Sequence, residues 1–212
     1  AEDLVKFAQD WNSGAFDYNP CVKVVNSIVF DATTSADFVA TGGIGVQGDE
    51  TLGTSDNYFN GIFDGDGKSI SNLESSVSLF NFVGAAGYIR NVVMDASSVF
   101  NFTASAGQYA AIAGRLKGSV SDCTVNSDIT VGNITTTGVM YVGGVVGRTY
   151  GGSVKNCSMT GDLNFPSTNG KIANAFSFGG VVGQNQNEGD DGGTVSGCTF
   201  SGNITVGASS SF

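Results

Sequence analysis

One motif recurs three times in the second half of this 212-residue chain with a single internal spacing: SVSDCTVNSDITV (119–131), SVKNCSMTGDLNF (153–165) and TVSGCTFSGNITV (194–206). Each copy follows a Gly-rich apolar segment, YAAIAG (109–114), VGGVVG (142–147) and FGGVVG (178–183). A repeat of roughly 30 to 40 residues marks stacked units that bury their apolar faces only against one another. Within the copies, Val120, Cys123, Val125, Ile129 and Val131 recur as Val154, Cys157, Met159, Leu163 and Phe165, and as Val195, Cys198, Phe200, Ile204 and Val206. Steps of two keep side chains on one face of a strand. The step of three passes Asp122, Asn156 and Gly197, residue types that tolerate a left-handed backbone and so turn a corner. The step of four crosses Asn126-Ser127, Thr160-Gly161 and Ser201-Gly202, again turn residues. Each copy therefore reads as three short strands joined by corners around a common interior.

These features predict an all-β, single-stranded parallel β-helix (a β-solenoid) of five to six coils, with matching positions about 4.8 Å apart along the axis. Tyr88 to Phe100 fits the same frame, with Ile89 at the first apolar place, Asn91 at the corner and Val92 where the cysteines fall. Upstream the register fades, and coils are expected over 38–73 and, in part, over 21–30. Thirty-two glycines and two prolines suit continuous ladders with many turns. No linker divides the chain, so one domain over 1–212 is expected: a cap helix over 1–14, coils over 20–206 and a tail over 207–212. The helix is predicted from Leu4, Phe7, Ala8 and Trp11 at helical spacing, with Glu2 and Asp3 in the first turn and Gly14 after the end. It would cover an apolar end that otherwise templates aggregation.

A net charge of −10 without any basic cluster argues against nucleic acid or an anionic membrane as partner. No transmembrane run and no signal peptide stand in the sequence. The chain reads as a mature or trimmed one that continues beyond the serine-rich stretch 208–212, and as a monomer or weak dimer. Cys123, Cys157 and Cys198 share one repeat position, which predicts an interior ladder of free thiols; one strained bridge is the alternative, since stacked Cβ vectors are parallel. No Cys-x-x-Cys pair supports zinc.

The phrases FNGIFDGDGKSISNL (59–73), SLFNFVGAAGYIRNVVM (78–94) and VGGVVGRTYGGSVKNCSMTGDL (142–163) resemble bacterial extracellular proteins with GLUG repeats. The opening DLVKFAQDWNSG is similar to the helical lead-in of that family. The chain departs from its pattern at 109–114, where AA replaces GG, and in the insert around 184–193. The resemblance implies a right-handed parallel β-helix in secreted or surface-anchored proteins, adhesin-like, with no catalytic residues to transfer.

Enzymatic signals are weak. G-x-G-x-x-G at 43–48 is followed by acidic, turn-rich sequence rather than a helix, and DGDGKS at 64–69 lacks the first glycine of a phosphate loop. The chain has no histidine. A polysaccharide lyase or hydrolase would have to rest on Asp190 and Asp191 with Arg148. Asp64 and Asp66, and Glu188, Asp190 and Asp191, read as solvated turns, with a weak calcium site as the alternative; no other cofactor is implied. An ice-binding array is opposed by the single threonine run at 135–137. The leading expectation is a non-catalytic adhesin-like module that binds a glycan or an extracellular protein, with a carbohydrate-active enzyme or a structural spacer as alternatives. Candidate contacts are Tyr58, Phe59, Tyr109, Tyr141 and Tyr150, whose faces suit sugars, and Arg115 and Arg148, either an exposed ladder or a contact for a sugar acid.

Overall fold

A computed structural model describes residues 1–16, 18–47, 56–103, 106–132, 139–165, 175–187 and 193–207. Its strands form parallel sheets along the sides of one solenoid, each built from successive rungs. Sheet I stacks Cys21–Lys23, Ile62–Asp64, Tyr88–Arg90, Ser119–Ser121, Ser153–Lys155 and Thr194–Ser196. Sheet II stacks Ile28–Val29, Ser69–Ser71, Val93–Met94, Thr124–Val125, Ser158–Met159 and Thr199–Phe200. Sheet III comprises Glu74–Ser75, Val99–Phe102, Asp128–Val131, Leu163–Phe165 and Ile204–Val206. Sheet IV has Gly107–Tyr109, Val139–Gly143 and Ala175–Gly179, and sheet V has Phe80–Val83, Ala113–Leu116, Val146–Tyr150 and Val182–Gln186. The architecture is thus an all-β parallel solenoid, with six rungs on sheets I and II.

The register follows the repeat. Ile89, Val120, Val154 and Val195 pair in a column, as do Met94, Val125, Met159 and Phe200. Phe100, Ile129, Leu163 and Ile204 form the corresponding column of sheet III. Apart from the last rung these side chains are buried. Burial of a residue of this size stabilises by about 1.5–3 kcal/mol, so the columns supply the main driving force. The corner between sheets I and II is left-handed at Asn91, Asp122, Asn156 and Gly197, with φ of 54°, 53°, 53° and 64°. Asn and Asp tolerate this conformation, and here their side chains bond along the axis: Asn156 Nδ2 donates to Asp122 Oδ1 at 3.2 Å.

The Gly-rich phrase before each copy solves two packing problems. Sheet IV lies against sheet V, and a Cβ on Gly147 would stand 2.6 Å from Tyr109 N and 2.7 Å from Gly114 O. The earlier glycine of the phrase meets an interior side chain. A Cβ on Gly144 would be 1.9 Å from Met159 Sδ, and one on Gly180 2.2 Å from the Phe200 ring. One rung back, the corresponding column residue is the smaller Val125, and Ala111 fills the equivalent place fully buried. The AA-for-GG departure therefore compensates a smaller neighbour.

At the N-terminal end, α1 (Glu2–Asn12) buries Leu4, Val5, Ala8 and Trp11, with Trp11 4.9 Å from the Phe59 ring. Asn12 Nδ2 donates to Thr41 O and Gly43 O at 2.9 and 2.7 Å. The coil expected over 38–73 supplies the strands Ile62–Asp64 and Ser69–Ser71, while ahead of these a second helix, α2 (Ala32–Ala40), stands in the place of a sheet III strand beside Glu74. Asp31 caps it, accepting from Thr34 N at 2.8 Å while Asp31 N donates to Thr34 Oγ1 at 2.9 Å. This reciprocal cap and the buried Phe38 outweigh the poor helix propensity of Thr33 and Thr34. One expectation about the candidate contacts changes, and one stretch gains a role. Phe59 is fully buried rather than an exposed aromatic, and Ile44, inside the G-x-G-x-x-G stretch, bridges in parallel to Phe80. Residues 208–212 lie outside the described ones.

Gly147→Ala should lower stability by about 1–3 kcal/mol, because two backbones would have to separate. Ala at Gly132, which has nothing within 4 Å of its Cβ position, should be near neutral. Denaturant melts of both variants check this; equal effects would contradict the close-approach account.

Candidate functional site

Arg115 and Arg148 pair in register on adjacent rungs of sheet V. Phe82 precedes Arg115 in the same column, and Gln184 follows Arg148. Because neighbouring residues on a strand face opposite sides, the register that buries Val83, Leu116 and Thr149 turns Phe82, Arg115 and Arg148 the other way. The guanidiniums lie on aromatic faces. Arg115 Cζ is 4.2 Å from the Tyr150 ring centroid and 6.0 Å from that of Phe82. Arg148 Cζ is 4.1 Å from Tyr150 and 4.5 Å from Tyr141, and Arg148 Nη2 donates to Gln186 Oε1. Such contacts are worth about 0.5–2 kcal/mol each. Tyr58 stacks on Phe82 with centroids 5.7 Å apart, and a shallow cleft is lined by Tyr58, Phe82, Val83, Arg115 and Lys117.

The electrostatics of this face differ from those of the rest of the chain. Among the described residues, the salt bridges are Lys6–Asp10, Lys23–Asp66 and Arg90–Asp64, so Arg115 and Arg148 have no carboxylate partner among those residues. Both are half-buried, and the Nε of each is covered and without a hydrogen-bond partner. An unpaired buried donor costs about 1–3 kcal/mol. The arrangement can accept an oxyanion on guanidiniums held against tyrosine faces.

Of the candidate residues, Arg115, Arg148, Tyr141 and Tyr150 are brought together, with Tyr58 beside them. The tyrosines act differently from the expectation, since Tyr141 is only 8% exposed and both it and Tyr150 present ring faces to guanidinium rather than to open solvent. Tyr109 is not part of the cluster. Its ring is 5.0 Å from Phe102, its hydroxyl donates to Ala106 O at 2.7 Å, and burial pushes its pKa up. Phe82, Lys117 and Gln186 were not singled out from sequence. The signal was available for Phe82, which stands two residues after an interior strand position as Arg115 and Arg148 do.

The acidic candidates turn toward protein donors. Asp64 accepts from Asn91 Nδ2 and Arg90 Nε, both at 2.9 Å, and from Asp66 N at 2.9 Å, while Asp66 pairs with Lys23 at 3.1 Å. The Asn91 hydrogen bond foremost, with those of Asp66 and Arg90 and the Arg90 charge added, holds the Asp64 carboxyl below the usual range against the opposing effect of burial. Glu188, Asp190, Asp191 and the threonine run 135–137 lie outside the described residues. The cysteines of the repeat are free thiols, buried at Cys123 and Cys157 and half-buried at Cys198. Cys123 Sγ donates to Ser121 O at 3.2 Å and Cys157 Sγ to Lys155 O at 3.3 Å. Its hydrogen bond with Cys157 and burial push the Cys123 thiol well up. Cys21 is exposed.

With this geometry in place, comparison with known families gives one result. The family model of the GLUG motif matches residues 138–164 and 168–205. Two segments of the chain carry the GLUG motif. The matched segments contain the sheet IV to sheet V turns at Gly144 and Gly180 and the corners at Asn156 and Gly197, so the GLUG pattern here encodes a rung of the solenoid. No curated protein and no solved structure matches. No helix among the described residues is long and apolar enough to cross a membrane.

Two outcomes are expected. A thiol reagent should modify Cys21 quickly in the native protein but Cys123 and Cys157 only after unfolding; denatured, unreduced protein without four titratable thiols would contradict the ladder. Because the folded pKa of Asp64 is depressed, its contribution to stability is present above the ordinary carboxylate pKa and is lost as pH falls through the folded value. Melting temperature should therefore fall below about pH 4, with a shallower fall in Asp64→Asn; identical slopes would contradict this.

Proposed function

We propose that this chain is a non-catalytic, adhesin-like module of a secreted or surface-displayed bacterial protein, and that the outer face of sheet V holds its glycan or extracellular protein ligand. The observation that carries this reading is the pair Arg115 and Arg148, held on tyrosine faces on consecutive rungs without a carboxylate partner among the described residues. In a chain of net charge −10, two of the three arginines converge on one face. Orienting guanidiniums before the ligand arrives reduces the entropy lost on binding. A stack that served stability alone would be expected to satisfy its buried donors, and this one leaves Nε of both residues unpaired. The non-catalytic part of the proposal is supported by the lack of histidine in the chain and by the commitment of Asp64 and Asp66 to basic and amide partners. The extracellular part is supported by the GLUG motifs and by the resemblance that the repeats carry.

Binding of the labelled protein to an array of bacterial, plant and host polysaccharides and matrix proteins tests the reading, with Arg115→Gln/Arg148→Gln as comparison. A competable signal that the variant loses is expected. Signals retained in full by the folded variant, or an array without any signal, would overturn it.

A further inference from the structure

The outward column of sheet V reads Phe82, Arg115, Arg148, Gln184 on four successive rungs. Among the described residues, the buried side-chain polar atoms without a hydrogen-bond partner are Arg115 Nε, Arg148 Nε and Gln184 Oε1, and all three belong to this column. Two donors and one acceptor thus go unpaired on consecutive rungs, where native proteins normally pair such atoms with protein, water or ligand. We propose that the column seats a carboxylated polysaccharide whose chain runs along the solenoid axis, with carboxylates on successive sugar units. The proposal rests on the reading of this face as a binding surface and names the ligand class.

Two arguments select this class. The guanidiniums come from adjacent rungs, about 4.8 Å apart, so the ligand must repeat its acceptors at a comparably short interval, as a polymer with an acid group on every ring does. An extended acidic peptide brings side chains to one face only at every second residue, roughly 6.7 Å apart, and fits the interval poorly. A sugar acid also carries both signs of hydrogen-bonding group: its carboxylate accepts from a guanidinium held on the tyrosine faces, and its ring hydroxyls donate to Gln184 Oε1. The net charge of −10 opposes a polyanion, so the match at this column has to outweigh that repulsion.

Affinity electrophoresis in the presence of chelator tests this, with the protein run through gels containing alginate, the propylene glycol ester of alginate, hyaluronan or poly-glutamate. Alginate is expected to retard the protein, and esterification of its carboxylates to abolish the effect. Hyaluronan, with a carboxylate on every second sugar only, should retard it less, and poly-glutamate least. Arg115→Gln/Arg148→Gln should weaken the alginate effect by at least about tenfold. The ester comparison uses the unaltered protein and stands even if the variant folds poorly. Equal retardation by the ester or by poly-glutamate, or none by alginate, would overturn the proposal. If alginate fails while the array yields another ligand lost in the double variant, the binding face stands and only the ligand class is wrong; if both fail, the binding reading fails with it.

Discussion

Everything in this protein depends on parallel strands stacking in register, rung on rung. Once Val120 is paired with Val154 and Val195, the height and direction of each neighbouring side chain on that sheet are set. Interior columns must then hold residues whose sizes add up across the coil. Gly144 and Gly180 face Met159 and Phe200, whereas the rung built on Val125 accommodates Ala111. Corners obey the same rule, because a left-handed residue in one rung requires another above it, and the series Asn91, Asp122, Asn156, Gly197 supplies only residue types that tolerate it. On the last described rung the interior positions are more open. Val195, Ile204 and Val206 are 42, 41 and 53% exposed, although their counterparts one rung earlier are buried.

The constraint acts on the outer face as well. Any side chain that points outward is repeated along the axis, so charges are forced into columns. On sheet I the result is neutralising, since Asp64 and Arg90 pair on adjacent rungs. On sheet V it places two guanidiniums next to each other, a like-charge arrangement that Tyr141 and Tyr150 relieve through their ring faces. Relief is incomplete, because both Nε groups remain unpaired. Proteins commonly give up stability at binding surfaces in this way, and the pattern on sheet V has that character.

Sheets I to III were legible in the sequence because period and corner chemistry appear there as repeated letters. The left-handed corner at Asp122 and Asn156 and the apolar ladders follow from spacing alone. Helix α2 was not legible from periodicity. Its nine residues include Thr33, Thr34 and Ser35, which favour strand or turn, and only the reciprocal Asp31–Thr34 cap marks its start. Phe59 reads as an exposed aromatic because it stands outside the three regular copies of the motif; in space it lies under Trp11 and against Phe80, 4.9 Å from each ring. The arginine column was half legible. Arg115, Arg148 and Gln184 stand at equivalent places after the strand glycine, but the covering of the tyrosine faces by guanidinium depends on how sheet IV packs on sheet V, which no local pattern encodes.

The central claim is that the Arg115–Arg148 column exists for a ligand and not for the fold. The most direct test is the unliganded melting temperature of Arg115→Met/Arg148→Met, which keeps much of the apolar stem and removes the charges and the unpaired donors. The account predicts a melting temperature equal to or above that of the parent. A clear loss of stability would show the cation–aromatic stack to be structural and would contradict it.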